Sequence, residues 1–455
     1  MWLTVGLPVI WLTFSLPLLA ACLPQARLQF YAQQAYVHRQ LSLWQIAEKS
    51  PYRMNNGYSD IGMSYHNRCQ IIDNQLDAEF TLVGLAYYPW QTPGNFEKDN
   101  QQLRSLLQRF SISYLISDTL SLIAGKFSTP SGLFYTRSPM DLLHNGYAGF
   151  KTGKIYDPGL QEAYSETLWG AKLSQETLDY SWSLTLAPQL THIRKRYQSS
   201  SNWSALERSN ARERYLLTWT DYRLPGHTPS VSLLVGASRT LAVADSFRPA
   251  PQWTVNAELA WHDHQQWRHF SGERAGQIQH YNFPSSLYQR GDRDGMELAL
   301  SGQYTSDGFS QFGMEYYFQS EGYTRKQWRR QVNFIGYLNQ RTGYQPLDSA
   351  RDNYKYLMAA EINNSANHGY LQGRHYLTGY ASLMMEEGAS VRCYGVMNMQ
   401  DNSTMLGIHF NKPLTQAEGK IDIYSGIYRT QGSRNAEFSL FGNTTGIYSG
   451  FKYYF

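Results

Sequence analysis

Apolar and polar residues alternate with a period of two along most of the chain. Between positions 178 and 186 every second residue is Leu, Tyr or Trp, and Asp, Ser or Thr stands between them. The same alternation recurs over 76–82, 253–261, 296–303 and 447–455. Successive side chains of a β-strand point to opposite faces, so each segment predicts a strand with one apolar face and one polar face.

The connections between these segments differ in length. Short turns are predicted at Ser117-Asp118, Asp401-Asn402 and 306–308, and alternate connections are much longer. The strands of a soluble β-sandwich also show this alternation of apolar and polar residues. Long strands whose connections alternate between short turns and long loops are typical of outer-membrane barrels. From residue 55 onward the pattern therefore predicts a single antiparallel transmembrane β-barrel of about 18 strands, within 16 to 20, with short periplasmic turns and long extracellular loops. The predicted long loops are 89–105, 128–165, 190–210, 240–251, 263–293 and 340–353.

Composition favours the membrane over water. Aromatic residues make up 15% of the 455 residues, with 35 tyrosines, whereas charged residues reach only 17% and mean hydropathy is −0.49. Tyrosine suits a membrane–water interface because its ring is apolar and its hydroxyl is polar. The net charge of +4 is small, and the basic runs 194–196 and 325–330 are expected in loops or at strand ends. A nucleic-acid partner is not expected, because it would require a sustained basic face.

The amino-terminal part has a different pattern. Residues 1–26 contain an uncharged apolar stretch followed by small residues, which predicts a signal peptide and hence an exported protein. Cys22 ends a lipobox-like sequence, so it is either a lipidation site or incidental to cleavage nearby. Residues 27–54 are expected to form a helix-like or irregular segment. This segment either lies at the periplasmic mouth, partly plugs the lumen, or is a flexible leader. A disulfide between Cys69 and Cys393 has no support from spacing.

The carboxyl terminus carries a recognisable signature. Phe451, Tyr453 and Phe455 stand at alternate positions at the end of the chain. They resemble the terminal strand that Gram-negative outer-membrane barrels present to the assembly machinery, and the last strand must pair with the first to leave no open edge in lipid. The resemblance implies contact with outer-membrane lipid, lipopolysaccharide and that machinery.

A second likeness lies in residues 110–143. Gly125-Lys126, Ser131-Gly132 and the Pro-x-Asp-x-Leu sequence at 139–143 resemble the alginate-export-like and related porin-like barrels. That family usually has Trp-Gly where this chain has Ser131-Gly132.

Charged residues on the polar faces of the strands are predicted to line the lumen. Acidic and basic residues are balanced, which argues against an exporter of an acidic polysaccharide. Inward tyrosines could contact sugars or simply fill the lumen. The predicted lining residues are Glu79, Arg109, Lys172, Asp179, Glu258, Glu297, Glu315, Lys355, Glu361, Arg374, Arg392, Asp422 and Lys452.

No motif for a cofactor, a metal or a nucleophile is found. His262-Asp263-His264 offers only two ligands on one side of a strand, which is too few for a metal site. The leading hypothesis is a non-enzymatic outer-membrane channel for a polar solute or saccharide, including polysaccharide export. The alternatives are a plugged barrel that binds a polysaccharide or a protein through its long loops, and a barrel hydrolase.

Overall fold

The computed structural model describes residues 26–44, 55–90, 103–129, 131–143, 167–193, 204–367, 370–416 and 419–455. Eighteen antiparallel strands form one closed sheet, and two short strands, β12 and β13, pair with each other in a loop. The strands are β1 Arg27–Arg39, β2 Asn55–Ile72, β3 Leu76–Pro89, β4 Leu103–Leu115, β5 Leu120–Phe127, β6 Leu168–Glu176, β7 Tyr180–Ala187, β8 Arg214–Asp221, β9 Ser230–Gly236, β10 Thr240–Ala250, β11 Trp253–His262, β12 His269–Phe270, β13 Tyr288–Gln289, β14 Gly295–Thr305, β15 Gln311–Gln319, β16 His375–Met384, β17 Ser390–Asn398, β18 Thr404–Gln416, β19 Gly419–Gln431 and β20 Thr444–Tyr454.

The barrel closes between its first and last strands. β1 pairs with β20, with Gln29 opposite Tyr454, and with β2 on its other side. The backbone N–H of Phe455 donates to the carbonyl of Leu28 at 3.0 Å, so the terminal residue still belongs to the seam. The predicted barrel with about 18 strands and a paired last strand is therefore confirmed.

Side chains alternate across the wall as the sequence predicts. Outward positions carry large apolar residues such as Trp253, Trp261 and Ile447, all more than two-fifths exposed, and Phe451 and Phe455 also lie on this face. Inward positions are mostly polar, small or tyrosine, with some buried aliphatic residues such as Leu85, Leu234 and Val396. Of the helices in the described part of the chain, none combines the length and apolar character needed to cross a membrane.

Long connections gather at one end of the barrel, which we call the long-loop end, and short turns at the other. Within the described ranges, the long-loop end holds four α-helices: α1 Ala205–Asn210, α2 Gly272–Gln279, α3 Arg325–Asn339 and α4 Gln345–Asn367. Ile278, Ile335, Leu338 and Met358 of α2, α3 and α4 pack with Trp44 into one buried cluster. These elements form a helical cap over the barrel mouth.

Several predictions about the segments are wrong. Arg27–Arg39 is strand β1, not an irregular leader or plug, so the barrel begins at Arg27; residues 45–54 lie outside the described residues, as do 1–25 with Cys22. The predicted loop 240–251 is mostly β10, residues 340–353 are largely helical, and the basic run 325–330 opens α3. The turn at Asp401-Asn402 lies at the long-loop end. Cys393 has a free thiol, which excludes a bond to Cys69.

Candidate functional site

A segment of the longest predicted loop folds into the lumen. Residues 131–143, here the inner segment, follow β5 and are fixed to the wall by Glu258 of β11. The Glu258 carboxylate accepts from the backbone N–H of Leu133 at 2.7 Å, from that of Met140 at 2.9 Å, and from the Ser138 hydroxyl. Glu258 is only 1% exposed. Hydrogen bonds to an ionised group are the stronger kind, so this carboxylate anchors both arms of the inner segment.

Glu315 of β15 provides a second anchor. Its carboxylate oxygens accept from the backbone N–H groups of Tyr135 and Thr136 at 2.7 and 2.9 Å. The Thr136 hydroxyl also donates to the Thr378 hydroxyl of β16 at 2.6 Å. The inner segment is therefore held by strands that lie side by side in the wall.

Between these anchors lies an ionic contact. Arg137 of the inner segment donates to Glu297 of β14 at 3.1 and 3.3 Å, and the Tyr317 hydroxyl donates to the same carboxylate at 2.9 Å. His262 Nε2 lies 3.2 Å from Glu297, and its Nδ1 is 2.8 Å from the Thr240 hydroxyl. Buried charges are stable only when paired and hydrogen-bonded, as they are here.

His262 thus stabilises the wall around Glu297. His264 points elsewhere and lies 2.8 Å from Asp263. In the described ranges no group of three or more His, Cys, Asp or Glu residues is placed to hold a metal ion.

Tyr135 and Leu143 of the inner segment reach opposite parts of the wall. The Tyr135 ring stacks on Tyr380 with centroids 5.5 Å apart and lies 6.5 Å from the Tyr394 ring. Leu143 packs with Phe127 and Leu216 on the far side. Gly132, with φ +110, permits the turn that brings Ser138 against it, where a Cβ would overlap that side chain. The inner segment therefore crosses the lumen and narrows it.

Tyrosines fill the part of the lumen formed by β1–β3, β19 and β20, here the seam side. Many inward tyrosines lie flat over an inward glycine of the neighbouring strand, where any Cβ would overlap the ring. Aromatic cover of this kind stabilises glycine in a sheet. The tyrosines near the seam are almost completely buried, so they fill the lumen rather than face a solute. The pairs are Tyr31–Gly62, Tyr380–Gly313, Tyr394–Gly407, Tyr424–Gly450, Tyr428–Gly446 and Tyr448–Gly426.

Above the inner segment, at the long-loop end, lies a cavity of about 750 Å³, here the vestibule. Leu142 of the inner segment lines it, together with residues from the loops 188–213 and 263–294 and from α4. Among the described residues, its lining contains six arginines and two glutamates, Glu207 and Glu361. The arginines are Arg208, Arg212, Arg214, Arg268, Arg274 and Arg290.

Backbone carbonyls hold several of these guanidinium groups in place. Arg274 donates to Ser286 O at 3.1 Å, and Arg290 donates to Gln266 O at 2.9 Å. Arg268 pairs with Glu361 at 3.3 Å. Burial and the neighbouring positive charges lower the pKa of Arg290. Carbonyls orient Arg274 and Arg290 without neutralising them, so these two arginines carry positive charge into the vestibule.

The predicted lumen residues divide into two groups. Glu79, Arg109, Lys172, Glu258, Glu297, Glu315, Arg392, Asp422 and Lys452 lie on inward positions of strands. Glu79 pairs with Arg109 at 2.5 Å, Lys452 lies over the Tyr424 ring, and Asp422 accepts from the Tyr454 hydroxyl at 3.0 Å.

The remaining four are not on strands. Asp179 is exposed in the short turn before β7, and Arg374 precedes β16 and donates to Gly322 O at 2.8 Å. Lys355 and Glu361 lie on α4, where Lys355 contacts Asp352 at 2.8 Å and Glu361 lines the vestibule. Side chains of a helix do not alternate between two faces with a period of two, which explains why Lys355 and Glu361 were wrongly assigned to the strands. Arg137 and the loop arginines of the vestibule were not predicted, since no alternation marks a loop.

Comparison with known proteins supports the fold. Scans against protein-family models and against curated proteins find no match. Among solved structures, OccK5 (OpdH) of Pseudomonas aeruginosa superimposes with a TM-score of 0.52 at 9% identity, covering 95% of this chain and 98% of that one. OccK11 (OpdR) of the same organism gives a TM-score of 0.48 at 10% identity, covering 95% and 97%. At 9% identity, the likeness to OccK5 shows the barrel fold alone.

Proposed function

We propose that this protein is an outer-membrane channel for a small polar solute that carries negative charge. The membrane location is supported by a closed barrel whose outward face is apolar and whose backbone groups are paired all round. The observation that carries the solute class is the vestibule, where arginines outnumber glutamates directly above the narrowed lumen. A concave site with one sign of charge raises the local concentration of the opposite ion.

This proposal changes the expectation of a charge-balanced lumen. The balance of acidic and basic residues was predicted from positions on strands, whereas most vestibule arginines lie in the connections between strands. Export of a polysaccharide is less well supported than passage of a small solute, because the inner segment occupies the bore.

Planar-bilayer recording of the purified full chain tests the proposal. We expect single-channel steps and a reversal potential in a potassium chloride gradient that indicates anion preference. Replacing Arg274 and Arg290 by Gln should shift that reversal potential towards zero, whereas the matched pair Arg293→Gln and Arg434→Gln, exposed at the same end, should leave it unchanged. Absence of conductance steps, or a cation preference, would refute the proposal.

The alternative of a plugged barrel that binds a ligand or protein is favoured by one observation. The helical cap is packed around a buried cluster, which is more structure than an open mouth requires. Deleting 265–290, which contains α2, distinguishes the two functions. A plugged binding protein should lose its binding and stay non-conducting, whereas a channel should conduct at least as well as before.

A further inference from the structure

A second basic cavity lies on the helical cap, separate from the vestibule. It is a groove of about 750 Å³ between α2 and α3, lined by Arg325, Lys326, Arg329 and Arg330 of α3. Its floor is apolar, with Ala275, Phe270 and Phe334. The vestibule and the groove are on opposite sides of α2, since Arg274 lines the former and Gly272 and Gly276 line the latter.

The cations of the groove are not neutralised. All four are exposed, and none of the described residues that line the groove is a carboxylate. Arg325 Nε donates to the Gln400 carbonyl, which leaves its charge in place. For Lys326, Arg329 and Arg330, no ion pair is formed with any residue in the described ranges.

The arrangement on α3 costs stability unless an anion is bound. The pairs Arg325–Arg329 and Lys326–Arg330 are like charges four residues apart, which repel along a helix. Arg325 and Lys326 also stand in the first turn, near the positive end of the helix dipole, and that turn contains no acidic residue. An anionic group in the groove would relieve both repulsions.

Space for such a group is kept by the glycines of α2. A Cβ added at Gly276 would meet nothing within 4 Å, and one at Gly272 would lie 2.8 Å from Cδ of Arg330. The groove is therefore open above an apolar floor and has guanidinium groups at its rim. Guanidinium groups bind phosphate in a bidentate manner.

We infer that this groove binds the phosphorylated sugar core of lipopolysaccharide, with phosphates on the α3 cations and the sugar over the aromatic floor. The inference rests on the proposed outer-membrane location, because only there does the long-loop end face that glycolipid. Charge complementarity favours a polyanion, and the apolar floor favours a ligand with a carbon body over a bare inorganic anion.

Binding of rough-type lipopolysaccharide to the full chain in detergent micelles tests the inference. Dephosphorylating the lipopolysaccharide, or the double substitution Arg329→Gln and Arg330→Gln, should each weaken binding by about tenfold or more. The matched double substitution Arg293→Gln and Arg434→Gln removes two exposed arginines from the same end and should change affinity by less than about twofold. The difference in gel mobility between heated and unheated samples checks that each variant is folded.

Three results would overturn the inference. Equal loss in the control variant would mean general charge attraction, full competition by inorganic phosphate would mean a small-anion site, and undiminished binding of the dephosphorylated form would exclude phosphate recognition. Conductance of the Arg329→Gln, Arg330→Gln variant should equal that of the unmodified chain. If no variant conducts while the binding results hold, the channel proposal fails and this inference stands.

Discussion

On the side of the lumen formed by β11, β14 and β15, buried carboxylates hold the inner segment, whereas on the seam side aromatic rings cover glycines. Glu258 and Glu315 accept from backbone N–H groups of a segment far away in sequence. Tyr31, Tyr428 and Tyr448 instead pack on residues of adjacent strands. The carboxylate side is filled by a connection between strands, and the seam side is filled by the strands themselves.

The difference has a mechanical consequence. Charge-assisted hydrogen bonds break together when one carboxylate is removed, and the segment they hold has no place in the sheet ladder. Tyrosines on the seam side cannot leave without unpacking the wall. Widening of the bore is therefore expected at the inner segment, and loss of stability is expected at the seam.

The largest effect should come from releasing the inner segment. The double substitution Glu258→Ala and Glu315→Ala removes acceptors for four backbone N–H groups and the Ser138 hydroxyl, each contributing about 1.5–3 kcal/mol as hydrogen bonds to charged groups. We expect single-channel conductance to rise severalfold, because the segment no longer crosses the bore.

Glu79→Ala is the control for this experiment. Glu79 pairs with Arg109 on the wall and contacts no residue of the inner segment in the described part of the chain. Its removal should leave conductance nearly unchanged. If the double variant is folded and conducts like the parent chain, the inner segment does not limit ion flow.

A smaller effect is expected at the seam. Gly62→Ala places a methyl group where the Tyr31 ring lies, and Tyr31 is 5% exposed within a packed cluster. Overpacking of this kind destabilises by about 1–3 kcal/mol, which urea unfolding in lipid vesicles can measure. The outward Gly379, where a Cβ would meet nothing within 4 Å, provides the control Gly379→Ala. Equal stability of the two variants would mean that the ring moves aside without cost.

Most of the wall could be predicted from alternation, because strand geometry fixes which side chains share a face. Glu258, Glu297 and Glu315 were all placed inward on this basis. β1 was missed because both of its faces mix apolar and polar residues: Gln34 and His38 face outward, and Tyr31 and Val37 face inward. The cap was missed because Val332, Ile335 and Leu338 recur every third residue, a helical spacing that a period-two reading passes over.

The site itself was less predictable. A carboxylate on an inward face is visible in sequence, but its partner is not, because Glu315 and Tyr135 lie 180 positions apart. The vestibule has the same origin: most of its arginines come from separate connections between strands and become neighbours only when the cap folds. Local patterns determine the wall, and long-range contacts determine what fills it.

The smallest effect concerns Glu321, at the border between the carboxylate side and the vestibule. Its carboxylate accepts from the Gln266 N–H at 2.8 and 3.0 Å, and burial raises its pKa to about 7. Above that pH it is charged and opposes the vestibule arginines; below it, it is neutral. Anion preference should therefore increase as pH falls from about 8 to about 6.

His269 does not titrate in this window, since burial lowers its pKa to about 4. In Glu321→Gln the reversal potential should already be at its low-pH value and vary less with pH. An unchanged pH dependence in that variant would show that Glu321 does not act on the permeating ion.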